Sequence, residues 1–144
     1  MGANTPPDEF RRRYCQRPVE GEPSGHQAGF PRSICEAHWI ETTDEHERHP
    51  GESLVTRSHA VIRRWAEERH AVPAAIPGTE HDHRPGVLRF DFPGYTGRAL
   101  EHVTWEEWFE AFDQRRLVMV YQEHMRNGRT SNFFHLNSPF REHD

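Results

Sequence analysis

Three features of the sequence predict an α+β fold. Two stretches carry apolar residues at helical spacing behind a hydroxyl-bearing cap, four short apolar segments are bounded by turn residues, and a Pro/Gly-rich first third lacks periodicity. The expected order is αββαββ, with two helices on one face of a four-stranded, mainly antiparallel sheet. Residues 1–55 are expected to form an irregular N-terminal arm, 56–138 the folded domain and 139–144 a tail.

The arm contains Pro6, Pro7, Pro18, Pro23, Pro31 and Pro50. Phe30, Ile34, Trp39 and Ile40 can anchor a short ordered piece, and Glu41 to Glu52 reads as a polar linker. Ser58 caps a first helix through Val61, Ile62, Trp65 and Ala66, which stops between His70 and Pro73. Ala74-Ala75-Ile76 is a short strand, and Val87 to Phe92 alternates as a second. Thr104 and Glu107 form a capping box before Trp105, Trp108, Phe109 and Phe112, a single aromatic stripe. Leu117 to Gln122 and Ser131 to Leu136 are the last two strands, joined through an Asn127-Gly128 turn. The two halves read alike: at an offset of 47, Ile62 falls on Phe109, Trp65 on Phe112 and Arg69 on Arg116. The expected core is Ile62, Trp65, Leu88, Phe90, Phe109, Phe112, Val118, Val120 and Phe134.

Composition narrows the chemistry. Hydrophobic residues make up 33% of the 144, so part of the chain is expected outside the core. No apolar run reaches the ~18 residues of a membrane span and no signal peptide opens the chain, so a soluble cytoplasmic protein without membrane contact is expected. All 18 basic residues are Arg, which excludes Schiff-base chemistry and a phosphate-loop lysine. A net charge of −5 argues against non-specific nucleic-acid binding, except locally at Arg11, Arg12 and Arg13.

Cys15, His26, Cys35 and His38 make up a C-x10-H-x8-C-x2-H pattern. Two thiolates and two imidazoles can hold structural zinc in a tetrahedron; free thiols and a disulfide are the alternatives. His81-Asp82-His83 reads as a solvated loop. Arg89, Asp91, Glu123, His124 and His135 can converge on the sheet face, against a plain reading as cross-strand charge pairs. Strand alternation leaves Val87, Arg89, Asp91, Met119, Tyr121, Phe133 and His135 on the face away from the helices. That face is the expected docking surface for a protein partner or a second copy, unless the arm folds back over it through Phe30, Ile34 or Trp39.

The stretch from His59 to Leu136 resembles a group of small bacterial proteins. The resemblance rests on the run from His59 to Arg69, Pro73-Ala74, Gly78-Thr79, Val87 to Tyr95, Trp105 to Phe109 and Ser131 to Phe134. In that resemblance a glycine-rich helix end is expected where this chain has His70-Ala71. Such proteins are sometimes loosely labelled 1,4-α-glucan branching enzymes. That activity belongs to barrels of ~250 residues with a spaced pair of carboxylates, and neither fits this chain. The expected function is therefore a non-enzymatic binding or regulatory module acting through protein–protein contacts. One alternative is a zinc-containing accessory protein of nucleic-acid metabolism; another is a small enzyme using polar groups on the sheet face.

Overall fold

A computed structural model describes residues 6–15, 29–80, 83–94 and 99–140. The two main helices form where their caps place them. In α3 (His59–Glu68), Ser58 Oγ accepts from the Val61 N–H at 3.2 Å. In α4 (Trp105–Gln114), Thr104 Oγ1 accepts from the Glu107 N–H, and Glu107 Oε1 accepts from the Thr104 N–H, both at 3.0 Å. Both helices end alike. Ala71 and Leu117 donate back to Ala66 and Phe112, and His70 and Arg116 donate to Glu67 and Asp113. This is the Schellman pattern, which needs a left-handed residue after the cap. His70 at φ 58° and Arg116 at φ 56° occupy that position, where glycine carries no Cβ penalty.

The α+β class holds, but the strands form two sheets rather than one. β1 (His38–Ile40), β2 (Leu54–Thr56), β6 (Val118–Tyr121) and β7 (Phe134–Asn137) lie in the order β1-β2-β6-β7, with β1 and β2 parallel. β3 (Val72–Ala75), β4 (Leu88–Asp91) and β5 (Glu101–His102) lie as β4-β3-β5, antiparallel throughout. The difference has a simple cause. β1, β2 and β5 are only two or three residues long, too short for periodicity to reveal them.

The two halves repeat at an offset of 46 rather than 47. α3 and α4 begin at 59 and 105, β3 and β6 at 72 and 118, β4 and β7 at 88 and 134. Their leading strands are exchanged. β2 precedes α3 but pairs with β6 of the second half, and β5 precedes α4 but pairs with β3 of the first.

The main core takes Ile62, Trp65 and Ala66 from α3, Trp108, Phe109 and Phe112 from α4, Leu88 and Phe90 from β4, and Met119 and Tyr121 from β6. Phe134 is partly buried against it. A second cluster lies on the other side of β6. There Val118, Val120 and Val55 pack against Phe10 and Tyr14 of α1 (Pro7–Tyr14), Phe30, and Ile34 of α2 (Arg32–Cys35).

Two expectations need correction. The open sheet face does not exist at β6: Met119 is 0% and Tyr121 1% exposed, and the N-terminal elements cover the opposite side. Nor are residues 1–55 separable as an arm. A boundary at 55 cuts through β2, which sits between β1 and β6 with Leu54, Val55 and Thr56 all buried. Of the residues on the expected docking face, Val87, Arg89, Phe133 and His135 remain exposed, Phe133 stacking edge-on against His135 at 5.7 Å. Asp91 accepts from His102 at 2.7 Å.

Two outcomes follow from this packing. His70→Gly and Arg116→Gly are each expected to raise stability by ~0.5–1 kcal/mol, since each relieves a side chain held at positive φ; thermal midpoints unchanged or lowered in both variants would refute that account. A fragment spanning 56–138 is expected to lack a cooperative unfolding transition, because Val118 and Val120 lose their cover. A sharp calorimetric transition from that fragment would show the N-terminal elements to be dispensable.

Candidate functional site

The segment between β1 and β2 is built by its own carboxylates. Glu45 Oε1 accepts from the backbone N–H of Glu41 at 2.6 Å and of Thr42 at 3.1 Å, and these bonds hold its carboxyl below the usual range. Glu52, 8% exposed, accepts from the Arg48 N–H at 2.7 Å and from Arg48 Nε at 2.8 Å, with His38 Nδ1 at 3.3 Å. Gly51, at φ 88°, donates to the His124 carbonyl at 2.8 Å; a Cβ there would come within 2.6 Å of Arg126. The polar linker of the sequence reading is thus an ordered strap tied to the β6–β7 connection.

That connection is held from the other side by Arg69. Its side chain lies over the Trp65 ring at 4.4 Å. It donates to three carbonyls: Ser131 at 2.6 Å, Trp65 at 2.9 Å and Glu123 at 2.9 Å. Trp65 Nε1 donates to the Gln122 carbonyl at 2.9 Å. The end of α3 and the residues after β6 therefore form one rigid floor.

Above this floor opens a cleft of about 340 Å³. Thr43, Glu45 and His46 of the strap form one wall, Val61, Arg64, Trp65, Glu68 and Arg69 of α3 another, and Tyr121, Glu123, His124 and Thr130 the third. At its rim two imidazole–carboxylate pairs meet. His124 Nδ1 lies 2.5 Å from Glu47 Oε2, and His46 Nδ1 lies 3.1 Å from Glu123 Oε2. The Glu47 N–H donates to Glu123 Oε1 at 3.4 Å and links the pairs. Ligand atoms of Glu47, Glu123 and His124 all lie within 4.8 Å of one another.

Two polar atoms here are buried without a partner among the described residues: the Tyr121 hydroxyl and Glu47 Oε1. Burial pushes the Tyr121 phenol well above its ordinary range, and the charges of Glu123 and Glu45 push it further, against Arg69. The cations of the cleft are already engaged. Arg64 donates to Glu68 at 3.1 Å and to the Thr43 carbonyl at 2.6 Å, and Arg69 is spent on backbone carbonyls. Glu45, Glu68 and Glu123 supply the carboxylates that line the cleft.

The residues singled out from sequence are placed differently. Cys15 and Cys35 form a disulfide with Cα atoms 5.6 Å apart, joining α1 to α2. Neither sulfur is then a thiolate, His38 turns to Glu52, and His26 lies outside the described residues, so the expected zinc set is not assembled. His81 and Asp82 also lie outside them. Arg11, Arg12 and Arg13 fall on α1, with Arg11 lying over the Trp39 ring at 4.8 Å. Of the polar groups expected to converge, only Glu123 and His124 meet, and their partners His46 and Glu47 sit in the supposed linker. Glutamate beside histidine, as at Glu45-His46-Glu47 and Glu123-His124, also occurs at Glu80-His81, Glu101-His102 and Glu142-His143, so adjacency alone does not single these residues out. No helix among the described residues is long and apolar enough to cross a membrane.

The strap has a pH signature. Burial alone would raise the Glu52 carboxyl, but hydrogen bonds from Arg48 and His38 outweigh it and hold it at about 2. An unfolded glutamate titrates near ~4.3. The stability Glu52 contributes is therefore complete above that value and is lost as pH falls through the folded one. Thermal midpoints of the wild type are expected to drop more steeply than those of Glu52→Gln between pH about 4.5 and 2; parallel curves would remove Glu52 from this role. Comparisons with protein families, curated proteins and solved structures give no match to this chain.

Proposed function

We propose that the chain is a binding module whose ligand is a small cation, taken up in the cleft between the strap, α3 and the residues after β6. One observation carries the reading: Tyr121, 1% exposed, is among the residues that line the cleft, and its buried hydroxyl has no hydrogen-bond partner among the described residues. A buried unpaired polar group costs ~1–3 kcal/mol, and a bound ligand removes that cost. The charge decides the sign of the ligand. With Arg64 and Arg69 committed to the protein, the remaining groups at the opening are carboxylates, imidazoles and hydroxyls, which accept from or coordinate a cation.

Thermal unfolding in the presence of zinc, nickel, manganese, magnesium, putrescine or choline tests this. A ligand at 100 times its dissociation constant adds about 2.7 kcal/mol, which for this size moves the midpoint by roughly 5–10 °C. At least one probe is expected to do so. Tyr121→Phe is expected to leave the ligand-free midpoint unchanged or higher, since it deletes the unpaired hydroxyl, and to reduce the shift. A wild type indifferent to every probe, or a Tyr121→Phe variant with an undiminished shift, defeats the reading.

A further inference from the structure

We propose that His46, Glu47, Glu123 and His124 form a binding site for one divalent first-row transition ion. This rests on the cation reading above and names the ion and its ligands.

Geometry comes first. Two imidazole nitrogens and two carboxylate oxygens are a competent ligand set for zinc-like ions, which are bound at ~2.0–2.2 Å. Atoms so bound are about 3.4 Å apart along a tetrahedral edge. The ligand atoms of Glu47, Glu123 and His124 already lie within 4.8 Å of one another, and His46 Nδ1 is 3.1 Å from Glu123 Oε2. Three of the donors are thus clustered already, and His46 stands beside Glu123 as the fourth. The four residues come from two segments, His46 and Glu47 from the strap and Glu123 and His124 from the connection that follows β6. The backbone bond from Gly51 to His124 ties the two segments together, and Arg69 holds the Glu123 carbonyl to the end of α3. The donors are thus brought together before any ion arrives. Imidazoles favour transition ions over magnesium or calcium, which prefer oxygen alone. Two carboxylates and two neutral imidazoles also balance a charge of +2.

The unsatisfied atoms point to the same place. Without an ion, the two imidazole–carboxylate bonds satisfy one oxygen of each glutamate, yet Glu47 Oε1 and the Tyr121 hydroxyl stay buried and unpartnered. Tyr121 lines the same cleft as His46, Glu123 and His124. An ion bound by Glu47 and carrying a water on its cleft side would engage both atoms.

The full chain, stripped with a chelator and desalted with its disulfide intact, is titrated calorimetrically with zinc and in parallel with magnesium. One zinc per chain is expected, with magnesium at least a hundredfold weaker. Glu123→Gln and His124→Ala are each expected to weaken zinc at least tenfold while keeping the wild-type circular dichroism spectrum. Cobalt(II) keeps the test decisive should a variant fail to fold. On the wild type it is expected to give visible d–d bands without a thiolate charge-transfer band. Thiolate charge transfer would place the ion on Cys15 and Cys35 and overturn the proposal. Wild-type zinc affinity in both folded variants would overturn it as well. If zinc, nickel and manganese leave the chain unaffected while putrescine or choline stabilises it, the metal site is refuted and the cation-binding cleft stands. If no cation binds, both fall.

Discussion

The structure depends on the double burial of β6. Its four residues, Val118 to Tyr121, are buried without exception, Met119 and Tyr121 toward the two long helices and Val118 and Val120 toward the N-terminal elements. A strand buried on both faces has no solvent side, so each neighbouring element must supply apolar cover. That requirement recruits Phe10, Tyr14, Phe30 and Ile34 from a region poor in periodic apolar residues. The disulfide between Cys15 and Cys35 then ties the two covering helices together.

Arg69 carries a different constraint. A guanidinium at 8% exposure loses much of its hydration, and burial lowers its affinity for its proton. Three carbonyl acceptors replace the lost water. Those carbonyls belong to α3 and to the residues just after β6 and just before β7, so one side chain sets how the helix meets the hairpin. Arg115, at the equivalent end of α4, does the same for the loop before β4, donating to the carbonyls of Pro85 and Gly86. Both arginines follow the last turn of their helices, and both act by holding irregular backbone that has no strand partner.

Legibility in the sequence followed local chemistry. The caps Ser58 and Thr104, the aromatic stripe of α4 and the Asn127-Gly128 turn are all short-range signals, and each lies where the residues predict. β2 and β5 carry no such signal, because two or three residues cannot show a period and their partners lie in the other half. The facing of β6 could have been read. A two-residue Asn-Gly turn would oppose Arg126 to Arg129 and so Tyr121 to Phe134; the chain reaches that same strand pairing with a turn over Met125 to Gly128, His124 opposite Thr130, and one extra residue on the β7 side. Opposite residues share a face, so placing Phe134 in the core required placing Tyr121 there too. Half of the candidate site was visible as Glu123 and His124. The other half was hidden because a run such as Asp44-Glu45-His46-Glu47-Arg48-His49 looks like any solvated linker until Glu45 and Glu52 are seen to fold it.

The exchange of leading strands sets the order in which the chain can mature during synthesis. β2 emerges early but has no antiparallel partner until β6 has been made, more than sixty residues later. The β3–β4 hairpin waits in the same way for β5. Neither half can complete its own sheet: β3 and β4 wait for β5 at the start of the second half, and β2 waits for β6 deep within it. Such long-range pairing makes for slow folding. The two halves resemble each other and yet mature only as one.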